Sequence, residues 1–149
     1  MMIKLARWQV DCDVDRTSAC YHQFEGPCCS CLYCRNFMAA LDSAFPQDFR
    51  ILASRLGIDV AKPTEVYQYN REPSGLHYFG GLFHFVGVLF DEEKTEGPRR
   101  LEFEVLSSGF EFTLSSQVQL VADAFKGNGL VQLDFATHVP WVLSEPDPL

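Results

Sequence analysis

LHYFGGLFHFVGVLF, residues 76–90, is a long aromatic and aliphatic segment with the composition of a β-strand. From residue 82 onward both alternating faces of the segment are largely apolar, which places the strand in the middle of a sheet. The pair Gly80-Gly81 interrupts the segment. These glycines predict either a two-residue hairpin turn or a bulge in one long bent strand.

Further strands are predicted on both sides of this central segment from composition and alternation: residues 3–10, 64–70, 101–105, 110–114 and 131–136. The clearest is a hairpin of residues 101–105 and 110–114 around Ser107-Ser108-Gly109, with Phe112 facing the core and Glu104 and Glu111 facing water. Because most strands follow one another through short turns, we expect a mainly antiparallel sheet.

Two consecutive helices are predicted before these strands. Apolar side chains recur at three- and four-residue steps over residues 33–44. A second stripe over residues 49–56 predicts a helix with Pro46 at its first position and Gly57 just after its end. One further helix is predicted near the C-terminus over residues 118–125, where Ser116 and Gln119 have the spacing of a capping box. An alternation within 118–122 leaves a strand as the alternative there.

All six cysteines fall in the first 34 residues, and four lie in Cys28-Cys29-Ser30-Cys31-Leu32-Tyr33-Cys34. Core cysteines would be scattered, whereas a cluster indicates thiols that meet each other or share a metal. Residues 11–34 therefore read as a cysteine-rich loop, since no period is evident before the first predicted helix. A loop of about 20 residues inside a compact domain needs something to order it, and a bound metal would do so.

The spacing of the cysteines favours zinc. Two C-x-x-C spacings overlap at Cys31, and each lets two thiolates from one tight turn reach the same ion. Zinc in structural sites has four ligands, so a further residue from just upstream is required. The predicted ligands are Cys20, Cys28, Cys31 and Cys34, with Cys12, His22 and Cys29 as alternatives.

Other interpretations of the cluster stay open. Cys31 and Cys34 open a predicted helix, which is typical of a thiol-disulfide redox pair, although no buried parallel strand precedes them as in thioredoxin-like sites. An iron–sulfur cluster also needs four cysteines, but the spacing matches neither the bacterial nor the plant ferredoxin pattern. The remaining interpretation is that the cysteines are reduced thiols with neither a bound metal nor a catalytic role.

Composition sets the class of protein. A chain of 149 residues with a 47% apolar content fits a single α+β domain, residues 1–149, with a core large enough to fold without disulfides. The net charge of −8 argues against nucleic-acid and membrane partners. No signal peptide or membrane span is evident, which favours the cytoplasm, where thiols stay reduced.

The leading functional hypothesis is a non-enzymatic binding or interaction module with a structural zinc. Its expected partner is a protein or a small molecule. The alternative is a thiol-disulfide redox enzyme that uses Cys31 and Cys34.

Overall fold

The computed structural model describes residues 1–27, 29–91, 104–106 and 109–149. The elements in chain order are β1 (Met2–Leu5), β2 (Trp8–Cys12), α1 (Val14–Gln23), α2 (Leu32–Ala39), α3 (Leu41–Ala44), α4 (Gln47–Leu56), β3 (Glu65–Arg71), β4 (His77–Asp91), β5 (Glu104–Val105), β6 (Glu111–Ser115), a 3₁₀ helix (Asp123–Phe125) and β7 (Leu130–Val139). This combination of helices with an antiparallel sheet confirms the predicted α+β class.

The sheet is built around β4. Within the described residues it has seven strands in the order β1-β2-β4-β7-β6-β5, and β3 also pairs with β4; every pairing is antiparallel. One edge of β4 pairs with β7, while the other edge pairs with β3 near its start and with β2 near its end. The central position predicted for this strand is therefore confirmed.

The two faces of the sheet differ in chemistry. The face that we call the inner face carries the buried Phe79, Phe83 and Phe85 of β4. Phe79 and Phe83 pack with Phe37, Phe45 and Phe49 of the helical segment. The opposite, outer face carries Tyr78, Gly80, Leu82 and His84 of β4, because side chains alternate along a strand. The buried inner face supplies most of the apolar core.

Consecutive helices follow the cysteines, as predicted. The first predicted helix is divided into α2 and α3 at Ala40, and α4 ends at Gly57 in the left-handed conformation that favours glycine. Pro46, expected at the first helical position, is instead the N-cap of α4, so the helix begins one residue later, at Gln47. In the part of the chain that the structure describes, no helix is long and apolar enough to cross a bilayer.

Residues 11–34 are not the continuous loop that the sequence predicts, since they contain the end of β2, the whole of α1 and the start of α2. The Asp13 side chain caps α1 by accepting the N–H of Arg16 at 3.0 Å. The buried face of α1 consists of Thr17, Cys20 and Tyr21, which have helical spacing. The pattern was missed because threonine and cysteine occupy core positions where an apolar stripe was sought.

The helix predicted over residues 118–125 is wrong, because only the 3₁₀ turn Asp123–Phe125 forms there. Leu120 has a φ of 55°, in the left-handed region that ends a right-handed helix. The Gln119 N–H donates to the Gln132 side chain at 2.7 Å instead of entering a capping box. A tertiary hydrogen bond has therefore replaced the local one.

Two strand predictions are also corrected. The first predicted strand is the β1–β2 hairpin, which turns at Ala6 and Arg7. Gly80 and Gly81 form neither a turn nor a bulge, because the pairing of β4 with β7 runs through them without interruption. A β-carbon at Gly81 would lie 2.5 Å from the Phe135 ring, so the glycine is required by close packing.

The predicted hairpin is confirmed as the pairing of β5 with β6, although residues 101–103 and 107–108 lie outside the described residues. Phe112 is buried, as expected. Glu104 pairs with Phe112 and therefore lies on the inner face rather than on the predicted wetter face. It reaches Arg7 at 3.9 Å, which offsets part of the cost of placing a carboxylate there.

Candidate metal centre

The segment between α1 and α2 brings three thiols together. The Sγ atoms of Cys29, Cys31 and Cys34 all lie within 4.8 Å of one another, and all three cysteines are free thiols. No other group of three or more potential metal ligands is this close among the described residues. The cluster in the sequence is thus a cluster in space.

The start of α2 explains how two of these thiols meet. Cys31 is the N-cap of α2, with an extended backbone at φ −64° and ψ 163°, and its carbonyl accepts the N–H of Arg35 at 2.9 Å. Cys34 is the third residue inside the helix. The N-cap and N3 side chains lie on the same side of the first turn, as they do in a capping box. The C-x-x-C spacing therefore places the two sulfurs next to each other.

The three thiols differ in environment. Cys29 and Cys31 are exposed, whereas Cys34 is buried. The backbone N–H of Cys34 lowers the pKa of the Cys31 thiol, because donors in the first turn of a helix stabilise a thiolate. Burial, followed by hydrogen bonds from the other two thiols, raises the pKa of Cys34. Cys31 is therefore the member of this pair that ionises first.

The structure brings together only part of the predicted ligand set. Cys31 and Cys34 belong to the group, and Cys28 lies outside the described residues. Cys20 does not join the described group: it is buried on α1, and its sulfur lies 3.9 Å from Asn128 Nδ2. Cys29, which the sequence offered only as an alternative, is the third member. The sequence feature that could have identified Cys29 is its spacing from Cys31, because a thiol two residues before the N-cap of a helix lies close to the cap residue.

The other two alternatives lie elsewhere. Cys12 is buried at the end of β2, and its thiol donates to the Leu56 carbonyl with a sulfur–oxygen distance of 3.4 Å. Burial raises the pKa of this thiol, which keeps it protonated. His22 is an exposed residue near the end of α1. Neither residue belongs to the thiol group in the described part of the chain.

A cavity of about 140 Å³ adjoins the thiols. Its lining residues are Pro27, Cys29, Cys34, Met38, Thr64, Glu65 and Val66. Glu65, the first residue of β3, is the one acidic residue in this lining. The cavity gives small molecules or ions a route to two of the three thiols.

Helix α2 is anchored to the segment after β7. The buried Asn36 side chain donates to the Pro140 carbonyl at 3.1 Å and accepts the Val142 N–H at 2.8 Å. Arg35 pairs with Glu145 at 2.9 Å. A helix fixed at these points holds Cys31 and Cys34 in a defined position relative to the sheet.

The strand histidines do not contribute to the thiol group. His77 and His84 lie on opposite faces of β4, and both are buried. The ring nitrogens of His77 lie 2.6 Å from Gln68 Oε1 and 2.7 Å from Asp147 Oδ2. Their hydrogen-bonding capacity is used within the fold.

The chain matches no protein-family model, and comparisons with curated proteins and with solved structures find no similar protein. The function is therefore argued from the geometry of the site.

Proposed function

We propose that the protein is a non-enzymatic binding module in which Cys29, Cys31 and Cys34 hold a structural zinc ion. The observation that carries this proposal is the approach of three free Sγ atoms to within 4.8 Å of one another. Thiolates are soft ligands that favour zinc over magnesium or calcium. Sulfurs that surround zinc at about 2.3 Å stand roughly 3.8 Å apart, so shifts on the order of 1 Å complete the arrangement.

A structural zinc needs a fourth ligand. Of the predicted ligands outside the described group, Cys28 adjoins Cys29 in sequence, whereas Cys20 is buried in α1 beside Asn128. We take Cys28 as the fourth ligand. The proposed set therefore keeps three of the four residues predicted from the sequence and replaces Cys20 with Cys29.

A binding role, rather than a catalytic one, follows from a zinc ion that has four protein ligands. A zinc ion with four protein ligands has no open position for a substrate, so its contribution is to fix the local structure. Here the ion would join the segment that follows α1 to the first turn of α2. The surface that it orders is available to a partner, either a protein or a small molecule. Free thiols are stable in a reducing compartment, which is why we place the protein in the cytoplasm.

Metal analysis of the whole chain, purified without a histidine tag, tests the proposal. We expect one zinc per chain, and we expect Cys31→Ser, Cys34→Ser and Cys28→Ser each to remove most of it. Cys20→Ala is the matched control, since it removes a buried cysteine outside the described thiol group. Full zinc content in Cys31→Ser, or loss in Cys20→Ala equal to that in Cys31→Ser, would contradict the proposed ligand set.

A second function, thiol-disulfide exchange, is favoured by the pairing of an exposed Cys31 with a buried Cys34. In this reaction the Cys31 thiolate attacks a substrate disulfide and releases the first substrate thiolate. The Cys34 thiolate then attacks the mixed disulfide and releases the second. Two electrons pass to the substrate, and the protein is left with a Cys31–Cys34 disulfide. Metal-free protein with a reversibly titratable disulfide would support this function instead of the zinc site.

A further inference from the structure

The outer face of the sheet contains a row of four side chains that cross four strands. Glu65 of β3 pairs with Leu82 of β4, Leu82 pairs with Asp134 of β7, and Asp134 pairs with Thr113 of β6. Directly paired residues of antiparallel strands point to the same face, with their β-carbons about 4.5–5.5 Å apart. The Thr113 hydroxyl and the Asp134 carboxyl therefore lie side by side.

The Asp134 carboxylate is held in place by a buried relay. Gln132 Nε2 donates to both carboxylate oxygens, at 3.2 and 3.1 Å. The orientation of this amide is fixed, because its Oε1 accepts the backbone N–H of Gln119 at 2.7 Å. The same oxygen lies 3.1 Å from His84 Nε2, so that nitrogen carries the proton. Such support is typical of a side chain that is positioned for a ligand.

Among the described residues, one polar group of this row has no hydrogen-bond partner, and the Asp134 carboxylate has a neutral partner, Gln132, but no cationic one. Among the described residues no lysine or arginine pairs with Asp134. Thr113 is 1% exposed, and its Oγ1 is the buried side-chain N or O atom that has no hydrogen-bond partner there. A buried hydroxyl without a hydrogen-bond partner destabilises the folded state, so the presence of this group in the structure calls for an explanation. A cationic hydrogen-bond donor placed between the two residues would give the Thr113 hydroxyl its missing partner and the Asp134 carboxylate an opposite charge.

The charge of the surrounding face selects a cation. Apart from histidine, the only basic residue in strands β3, β4, β6 and β7 is Arg71. Arg71 lies opposite His77 on the inner face and pairs with Asp147. The outer positions of these strands carry the carboxylates of Glu65, Glu111 and Asp134. An anionic ligand would be repelled here, and a cationic one would be attracted.

Aromatic rings border the carboxylate. Tyr67 of β3 lies one row away, opposite Gly80, and is 37% exposed. Its ring centroid is 5.2 Å from that of Tyr69, which is 5.0 Å from that of Tyr78. Burial, with Asp134 among the nearby charges, raises the pKa of Tyr67, so the phenol stays neutral. Neutral aromatic rings beside a carboxylate are a favourable environment for an organic cation.

We propose that this outer-face site binds a primary alkylammonium group, as carried by small diamines and by lysine side chains. The ammonium N–H groups donate to the Asp134 carboxylate and to Thr113 Oγ1, and the methylene chain packs on the exposed ring of Tyr67. A primary ammonium has three donors and matches this set of acceptors. A divalent metal fits less well, because it would require more oxygen ligands than one carboxylate and one hydroxyl.

Titration of the whole chain with 1,5-diaminopentane, followed by NMR, tests the site. We expect saturable shifts centred on residues 67, 113 and 134, and no binding of the neutral analogue 1,5-pentanediol. Asp134→Asn should weaken binding about tenfold or more, because a charge-assisted hydrogen bond is lost. Thr113→Val should weaken it about three- to fivefold. Asp123→Asn is the matched control, since it removes an equal charge from an exposed carboxylate.

Unchanged diamine binding in Asp134→Asn would overturn the proposed site, and so would binding of the diol with the same affinity as the diamine. If Asp123→Asn weakened binding as much as Asp134→Asn, the diamine would be attracted by net charge alone, which would also overturn it. If Asp134→Asn does not fold, the position of the shifts and the Thr113→Val variant decide the question. A parallel titration with Nα-acetyl-lysine amide distinguishes the source of the amine. Binding of both probes supports the site and includes protein ligands, whereas binding of the diamine alone supports it for free amines.

Discussion

The rings of Trp8 in β2 and Phe112 in β6 have centroids 5.7 Å apart, although β4 and β7 lie between their strands in the sheet. This contact requires the sheet to curl until its two ends approach each other. The ion pair between Arg7 and Glu104 spans the same gap. The inner face is therefore concave, and Phe112 lies where the two ends of the sheet meet.

Phe112→Ala should destabilise the fold strongly. Removing a buried phenylalanine leaves a cavity and costs about 3–5 kcal/mol. The matched control is Glu111→Ala, the neighbouring residue on the outer face, for which we expect a loss of about 0.5 kcal/mol or less. Urea denaturation of both variants measures the difference. A larger loss in Glu111→Ala than in Phe112→Ala would mean that the faces of β6 are exchanged, since a one-residue slip moves every side chain to the other face.

Elements with a regular apolar pattern could be predicted from the sequence, and elements that use polar core residues could not. Strand β4 was found because Phe83 and Phe85 belong to a segment whose two alternating faces are both largely apolar. Helix α1 was missed because Thr17 fills a core position, where its hydroxyl donates to the Asp13 carbonyl at 2.8 Å and accepts the Val86 N–H at 2.9 Å. Its burial depends on a strand 69 residues away, which no local pattern reveals.

The same limit applies to the sites. The thiol group was predictable because Cys29, Cys31 and Cys34 are close in sequence and a helix start brings two of them together. The outer-face site was not predictable. Its relay joins His84 to Gln132 across 48 residues, and its acceptors come from different strands. Only the register of the sheet places Thr113 beside Asp134.

Removal of zinc should loosen one part of the protein and leave the core folded. The proposed ion joins the segment after α1 to the first turn of α2, whereas the aromatic core contains Phe37 from the later part of α2, packed against the sheet and Phe45. After treatment with a strong chelator, we expect faster hydrogen exchange over residues 29–35 and a lower melting temperature. Cys31→Ser should show the fast exchange without the chelator. Unchanged exchange and an unchanged melting curve after verified metal removal would contradict the structural role.

His84 should make stability depend on pH. Burial lowers the pKa of His84 in the folded state, with hydrogen bonding to Gln132 and the charge of Asp134 acting in the opposite direction. Below about pH 6.5 the unfolded chain takes up a proton at this histidine while the folded chain resists it, so stability decreases as the pH falls through this window. The raised pKa of Asp134 acts in the opposite sense, at lower pH.

The measurement for His84 is a comparison of wild type with His84→Gln by urea denaturation at about pH 7 and about pH 5. The stability advantage of the wild type should shrink at the lower pH, because the variant has no imidazole to protonate. The other histidines are common to both proteins and cancel in the difference. An advantage that stays constant across this range would show that protonation of His84 does not oppose folding.

Thr113→Val should increase the free energy of unfolding by about 1 kcal/mol, because it replaces a buried hydroxyl that has no described partner with a methyl group of similar size. Thr137→Val on the neighbouring strand is the matched control. Thr137 is also buried, but its Oγ1 donates to the Ala44 carbonyl at 2.7 Å, so the same change should lower stability by about 1 kcal/mol or more. Opposite signs for the two variants in denaturation without any amine present would show that the Thr113 hydroxyl is unpaired in the free protein. A loss of stability in Thr113→Val equal to that in Thr137→Val would mean that Thr113 already has a partner, and the outer-face site would then lack the unpaired hydroxyl on which its proposal depends.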